Sequence, residues 1–307
     1  MSSEKFFTTK KALITLLAAS LVVIVSLGIR QTFGLFFFDF NADLNISISH
    51  FGFVIGLQLL MWGVFSPIFG FITDRYGGAT AIFIGFLFYL AGLFLFYSGL
   101  NTGYLFTLTI GLLIGIGLGG TAISIPVSVV AKHFPSSNRT IATGIVTCAG
   151  SFGFFVSPLL VRYSLIEIGW EITILYFCFL LGIGLITALF VSTPKTPVGN
   201  NDNSNQTAKE ALIEAFNNKS FIFLTLGFFV CGWHIALVAT HIPTYMMDRG
   251  MPDWTAAMIL ALVGVFNMIG TMGSGYLATK FSKKKVLSAI YLLRGVSLIY
   301  FLYLPPS

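Results

Sequence analysis

Charge is what this sequence has least of. Asp, Glu, Lys and Arg make up 9% of its 307 residues, against about a quarter in an ordinary soluble domain. A chain so poor in charge cannot clothe a packed core in a water-compatible surface. Soluble enzymes and nucleic-acid-binding domains are therefore excluded, and the net charge of +6 says nothing of acidic partners until its placement is known. Cysteine is scarce as well: Cys148, Cys178 and Cys231 lie far apart in apolar runs, with neither disulfide-framework nor metal-ligand spacing. The four histidines, His50, His133, His234 and His241, form no catalytic cluster, so neither an enzyme nor a cofactor is expected.

Acidic residues are also missing from one place. Asp39, Asp43, Glu167, Glu171, Asp248 and Asp253 fall at or near the ends of apolar runs, and no Asp or Glu lies deep inside one. Carriers of amines and metal cations need a carboxylate within the membrane as counter-charge, and these runs supply none.

Long apolar runs are what the sequence has in abundance, with 56% hydrophobic residues. Runs above about 18 residues read as membrane-spanning helices, giving an all-α multi-pass protein with nine spans near 12–38, 50–72, 79–99, 102–130, 139–161, 168–192, 220–247, 254–279 and 286–304. The first is too long for a cleaved signal peptide and lacks a small-residue cleavage site. Turn chemistry such as "DRYGG", "SGLNTG" and "FPSSNR" separates the spans. One longer polar break, 193–219, divides the chain into residues 1–192 and 220–307. Its front is Asn-, Pro- and Ser-rich linker, and "KEALIEAF" at its back reads as a short amphipathic surface helix. With the N-terminus in the cytoplasm, thirteen of the seventeen Lys and Arg residues fall on the cytoplasmic side, as the positive-inside rule requires.

An internal repeat orders the spans. "GFITDRYGG" follows the second span and "GYLATKFSKKK" the eighth, an offset of 205 residues from Gly70 to Gly275. The same shift lays spans 1–3 on spans 7–9 and brings Arg30 within a residue of His234. Two six-helix halves joined by a cytoplasmic loop form a known transporter plan. Under it, three further helices are expected after the ninth.

"GIGLGG" (115–120) satisfies a dinucleotide-loop pattern, but no strand precedes it and it lies within a span, so close helix packing is its reading. "GFITDRYGG" carries Gly70, Asp74, Arg75 and Gly77 at the cytoplasmic end of a span. It resembles the signature between helices 2 and 3 of the major facilitator superfamily. The resemblance implies that Asp74 and Arg75 join a charge network holding the cytoplasmic side closed in one conformation. Gly78 and Ala79 stand where that pattern continues with basic residues. "GIRQTFGLFF", "GLLIGIGLGGTAISIP", "LTLGFFVCGWHIALVATHIPTYM" and "FSKKKVLSAIYLLRG" are similar to bacterial monocarboxylate and oxalate/formate porters of that superfamily. This likeness implies a major facilitator fold of which helices 1–9 of twelve are present, and a substrate-carboxylate contact at Arg30. The acidic–basic pair that such porters carry in helix 8 is replaced by Asn267 and Thr271. "GFFVSP" (153–158) matches the glycine–proline signature of drug antiporters only poorly.

Ionisable residues inside a span are functional candidates by default. Here they are Arg30, His234, His241 and Arg294, with Gln58 as an uncharged companion. A buried guanidinium without a protein carboxylate suits bidentate capture of an incoming one. Two rival readings of Arg30 are snorkelling to the outer interface and pairing with Asp39. His234 is a proton-coupling and ligand candidate, His241 fits an outer gate, and Arg294 on the ninth span is a weaker candidate.

The sequence thus points to a monomeric secondary transporter of a small organic anion, a monocarboxylate, in a bacterial inner membrane. It would be driven by proton symport or anion exchange. The alternatives are a carrier of neutral or amphipathic solutes, a membrane sensor or interaction protein, and a non-functional fragment.

Overall fold

Glycine- and turn-punctuated apolar runs predict a helical bundle, and a bundle forms. The computed structural model describes residues 10–192 and 208–303, with helices, short connections and no strand among them. The front of the polar break, 193–207, lies outside the described residues. The amphipathic stretch at its back is a helix, Ala208–Asn217.

The first span runs Lys10–Leu44, the second Ile48–Tyr76, the third Gly78–Tyr97 and the fourth Gly103–His133. The fifth and sixth are joined in one stretch, Ser136–Ala188, whose non-helical break is Gly169 at φ 79°. Only glycine takes that conformation cheaply, so the "EIGW" turn becomes a sharp corner. The seventh span is Lys219–Met246, the eighth Asp253–Lys280 and the ninth the 21-residue helix Lys283–Tyr303.

The first span is longer than the expected 12–38 and is not uniform. An α-helix over Lys10–Gln31 gives way to a tighter 3-10 turn at Phe33–Phe36 and then to a second α-helix, Phe37–Leu44. Aromatic packing carries the chain past the two acidic residues that suggested an end. Phe40 meets Phe36, Phe51, Phe96, Phe106 and Trp170 at centroid distances of 5.2–6.5 Å. The Trp170 indole then donates to Asp43 at 2.6 Å.

The fourth span wedges between the second and third, and "GIGLGG" is what lets it in. A Cβ at Gly115 would meet Gln58 O at 2.6 Å, one at Gly117 Tyr89 N at 2.7 Å, and one at Gly120 Ala81 O at 2.8 Å. Backbone approaches this close are available only to the smallest residues.

The 205-residue repeat is visible in the contacts. Tyr89 Oη of the third span donates to Ser26 O of the first at 3.4 Å. At the shifted positions, Arg294 of the ninth span donates to Cys231 Sγ of the seventh at 3.2 Å. Gly34 and Ala239, also one repeat apart, touch each other where the 3-10 turn of the first span meets the wide π-turn Leu237–His241 of the seventh. A side chain at Gly34 would overlap the Ala239 carbonyl. The fifth and eighth spans meet at Phe155 against Gly264 and through Asn267 Nδ2 donating to Ser151 Oγ at 2.9 Å. These approaches lie from mid-bundle toward the end opposite the basic loops. A cavity of about 1230 Å³ extends from Gln31 and His234 down to Phe281 and Lys285 at the basic end.

Candidate functional site

Arg30 occupies the last turn of the first helix, just before the chain tightens at Thr32. The Thr32 hydroxyl donates to Ile29 O at 2.8 Å and closes that helix. Because the span continues to Leu44, Arg30 stands about 14 residues, roughly 20 Å of helix, from the far end of the span. Its side chain is 3% exposed, so it does not extend to an interface. The phenol of Tyr89 is within electrostatic reach. The guanidinium atoms Nε and Nη2 have no hydrogen-bond partner among the described residues.

Gln58 of the second span is fully buried. Its Nε2 donates to Ile110 O at 3.0 Å, which fixes the amide orientation and leaves Oε1 unpartnered. Gln58 abuts the fourth span through Ile110 and Gly115, and Tyr89 of the third span packs on its Gly117. Ser26 and Thr121 add a hydroxyl pair at 2.7 Å beside them.

Gln31 was missed by inspection of charge. It is 1% exposed, its Oε1 is unpartnered, and it lines the large cavity opposite His234. The signal for it was present, since "RQT" is a run of three polar residues in an otherwise apolar span. His234 is half-buried on the cavity wall, with Nδ1 buried and unpartnered. Arg294 and Asn267 line the same cavity, but each already holds a partner, Cys231 and Ser151.

The geometry therefore gathers Gln31, His234 and Arg294 around one cavity. It places Arg30 and Gln58 in the adjoining interior of the first half. His241 is set apart from both groups, exposed beside the Gly34–Ala239 contact with its ring carbon facing Gly52. Arg30 Nε and Nη2, Gln31 Oε1 and Gln58 Oε1 are buried without partners among the described residues, and burying such groups is costly.

At the basic end, Asp74 accepts from Lys132 of the fourth span at 2.8 Å, and Arg75 lies 5.5 Å from the Tyr76 ring. Gly77, at φ 94°, makes the turn that only glycine makes easily. No neighbour crowds the position of a Gly70 side chain. One repeat later, Lys280 lies over Tyr276 at 4.7 Å, so both copies of the loop seat a cation on an aromatic ring. A metal site is not indicated among the described residues, which hold no cluster of three His, Cys, Asp or Glu side chains.

Known proteins share this fold. The agnestins efflux protein AgnL12 of Paecilomyces divaricatus is 23% identical over 293 residues, covering 94% of this chain and 65% of that one. The hexuronate transporter of Bacillus subtilis is 23% identical over 271 residues, covering 85% and 63%. The chain thus spans just under two thirds of the length of these relatives. The inward-open xylose transporter of E. coli superposes with a TM-score of 0.63 at 16% identity, over 88% of this chain and 70% of that one, a likeness of fold. The profile of the Major Facilitator Superfamily matches residues 19–307, and with the paired helix triplets and the Gly70–Gly77 loop already described, the chain belongs to that superfamily.

Proposed function

We propose that this chain belongs to a secondary transporter that moves a small organic anion, a monocarboxylate, by alternating access. The carrying observation is Arg30, a guanidinium buried at mid-span with two nitrogens unpartnered. Holding such a charge in a dry interior is costly, and an arriving carboxylate offsets that cost with charge-assisted hydrogen bonds. Occupancy then changes which arrangement of the two halves is favoured. The relative named for hexuronate, a sugar acid, supports an anionic substrate.

In this reading residues 1–192 form one six-helix half, 193–219 the connecting loop and 220–307 the first helices of the second half. The basic loops face the cytoplasm of a bacterial cell, so the cavity ending at Lys285 opens inward while the Gly34–Ala239 contact closes the outside. His234, on the cavity wall, takes up the coupling proton, the alternative drive being anion exchange. Asp74 and Arg75 latch the cytoplasmic side when the cavity closes there. The protein works as a monomer.

Uptake of radiolabelled lactate into proteoliposomes tests this. Saturable uptake, competed by other monocarboxylates and lost in Arg30→Gln, is expected. Uptake of a neutral solute that Arg30→Gln leaves intact would overturn it.

A further inference from the structure

The two copies of the repeated loop differ most in charge. The first, "TDRYGG", holds one acid and one base, and Asp74 accepts from Lys132 at 2.8 Å. The second, "TKFSKKK", holds Lys280, Lys283, Lys284 and Lys285, and the chain has no Asp or Glu after Asp253. Lys280 lies over Tyr276, while Lys283 and Lys284 are exposed at the start of the ninth span. A further lysine joins them from the seventh span. Tyr291 Oη donates to Gly227 O at 2.6 Å and Arg294 donates to Cys231 Sγ at 3.2 Å, so these two spans run side by side in the same direction. Lys219 stands eight residues before Gly227 and Lys283 eight before Tyr291, each about 12 Å of helix below the bond. Exposed Lys219 is thereby level with Lys283.

The helix Ala208–Asn217 marks what lies at that level. Its Ile213 and Phe216 are three residues apart, on one face, and are 52% and 64% exposed. Phe216 packs edge-on against exposed Phe221 of the seventh span at 6.3 Å. A short helix with uncovered apolar residues at the foot of a span lies at the boundary of headgroups and acyl chains. Lys219 follows two residues after it, so the lysines stand at headgroup depth. Exposed Leu224 and Leu287 come about one turn above Lys219 and Lys283, where acyl chains run. We propose that Lys219, Lys283 and Lys284 form a binding site for the phosphate of an anionic phospholipid. Basic segments at the foot of a span attract such lipids. A zwitterionic headgroup suits the site less, because its ammonium would meet lysines. Glu210 and Glu214 on the surface helix are the nearest acids in sequence, and the five lysines at these span ends outnumber them. A free phosphate would gain nothing from the apolar side chains around the site.

Native mass spectrometry of the purified full chain in uncharged detergent tests this, with phosphatidylglycerol and phosphatidylcholine of matched acyl chains as probes. Each lysine near an anionic headgroup contributes roughly fivefold in affinity. Phosphatidylglycerol is therefore expected to bind about tenfold or more tighter than phosphatidylcholine. Lys219→Gln, Lys283→Gln and Lys284→Gln together should remove that preference. Lys10→Gln with Lys11→Gln, also exposed at the basic end but on the first span, should leave it intact. Because the lipid comparison is made on the wild-type protein, it stands even if a variant fails to fold. Equal binding of the two lipids would overturn the site. Equal loss of the preference in both sets of variants would overturn it too, reducing it to a general effect of positive charge. Displacement of phosphatidylglycerol by an equal concentration of inorganic phosphate would overturn the lipid as its ligand.

Discussion

Spans 1–3 and spans 7–9 follow the same path with different side chains and very different burial. Where the first triplet joins Tyr89 to Ser26, the second joins Arg294 to Cys231 at the same register. Yet the α-helix opening the first span buries fourteen residues, and that opening the seventh, Lys219–Ala236, buries none. Both are strongly apolar, so hydrophobicity does not account for the contrast. The neighbours do: the fifth span sets Gly150 and Gly153 against Val23 and Ile24 of the first, and the fourth fills the groove beside them by setting its glycines on Gln58, Tyr89 and Ala81. The corresponding groove among spans 7–9 is the open cavity. Burial is therefore a property of the neighbour rather than of the helix. At the nearly equivalent positions Arg30 and His234, the first is buried in the packed interior of its half and the second stands half-buried on the cavity wall.

The largest test of this contrast sets Arg30→Gln against Arg294→Gln. Losing the buried guanidinium should lower lactate uptake by about 100-fold, the scale of a charge-assisted pair in a desolvated site. Losing the half-exposed one should cost less than about tenfold. Equal losses would break the distinction between the halves.

A packing test follows. Gly117→Leu must push apart the third and fourth spans, and overpacking of this kind lowers the melting temperature by about 5–10 °C. Gly273→Leu, in the open groove where nothing lies within 4 Å of the added Cβ, should shift it by no more than about 2 °C. A smaller effect concerns drive rather than binding. His234→Asn is expected to remove the stimulation of uptake by a pH gradient while preserving exchange of internal for external substrate. Loss of both would make His234 a binding residue only. The smallest effect belongs to Asp74→Asn. Its ion pair with Lys132 is solvent-exposed, and such pairs contribute roughly 0–1 kcal/mol, so unfolding in denaturant should scarcely move even if transport slows.

Much of this was legible in the residues. The nine spans follow from apolar run length, and the repeat from two copies of one loop. Arg30, His234 and Arg294 stand out because charge or imidazole is rare in an apolar run. Other features were hidden for physical reasons. Asp39 and Asp43 mark a span end by composition, but the aromatic cluster around Phe40 and the Trp170 hydrogen bond let the helix continue to Leu44. That places Arg30 nearer mid-span than a helix ending at 38 would. Gln31 carries no charge and escaped notice beside Arg30, although it is the member of that pair that lines the cavity.

The sequence alone determined that this chain is a multi-pass membrane bundle of helices, that the stretch around Gly70 recurs around Gly275, and that charge is rare along its apolar runs. These are matters of composition and spacing, and they hold however the helices are arranged. The tertiary structure decided which polar atoms are left without partners: donors on Arg30, acceptors on Gln31 and Gln58, and a histidine nitrogen across the cavity. Whether a side chain is satisfied depends on what the neighbouring helices bring within about 3 Å of it, and no one-dimensional pattern records that.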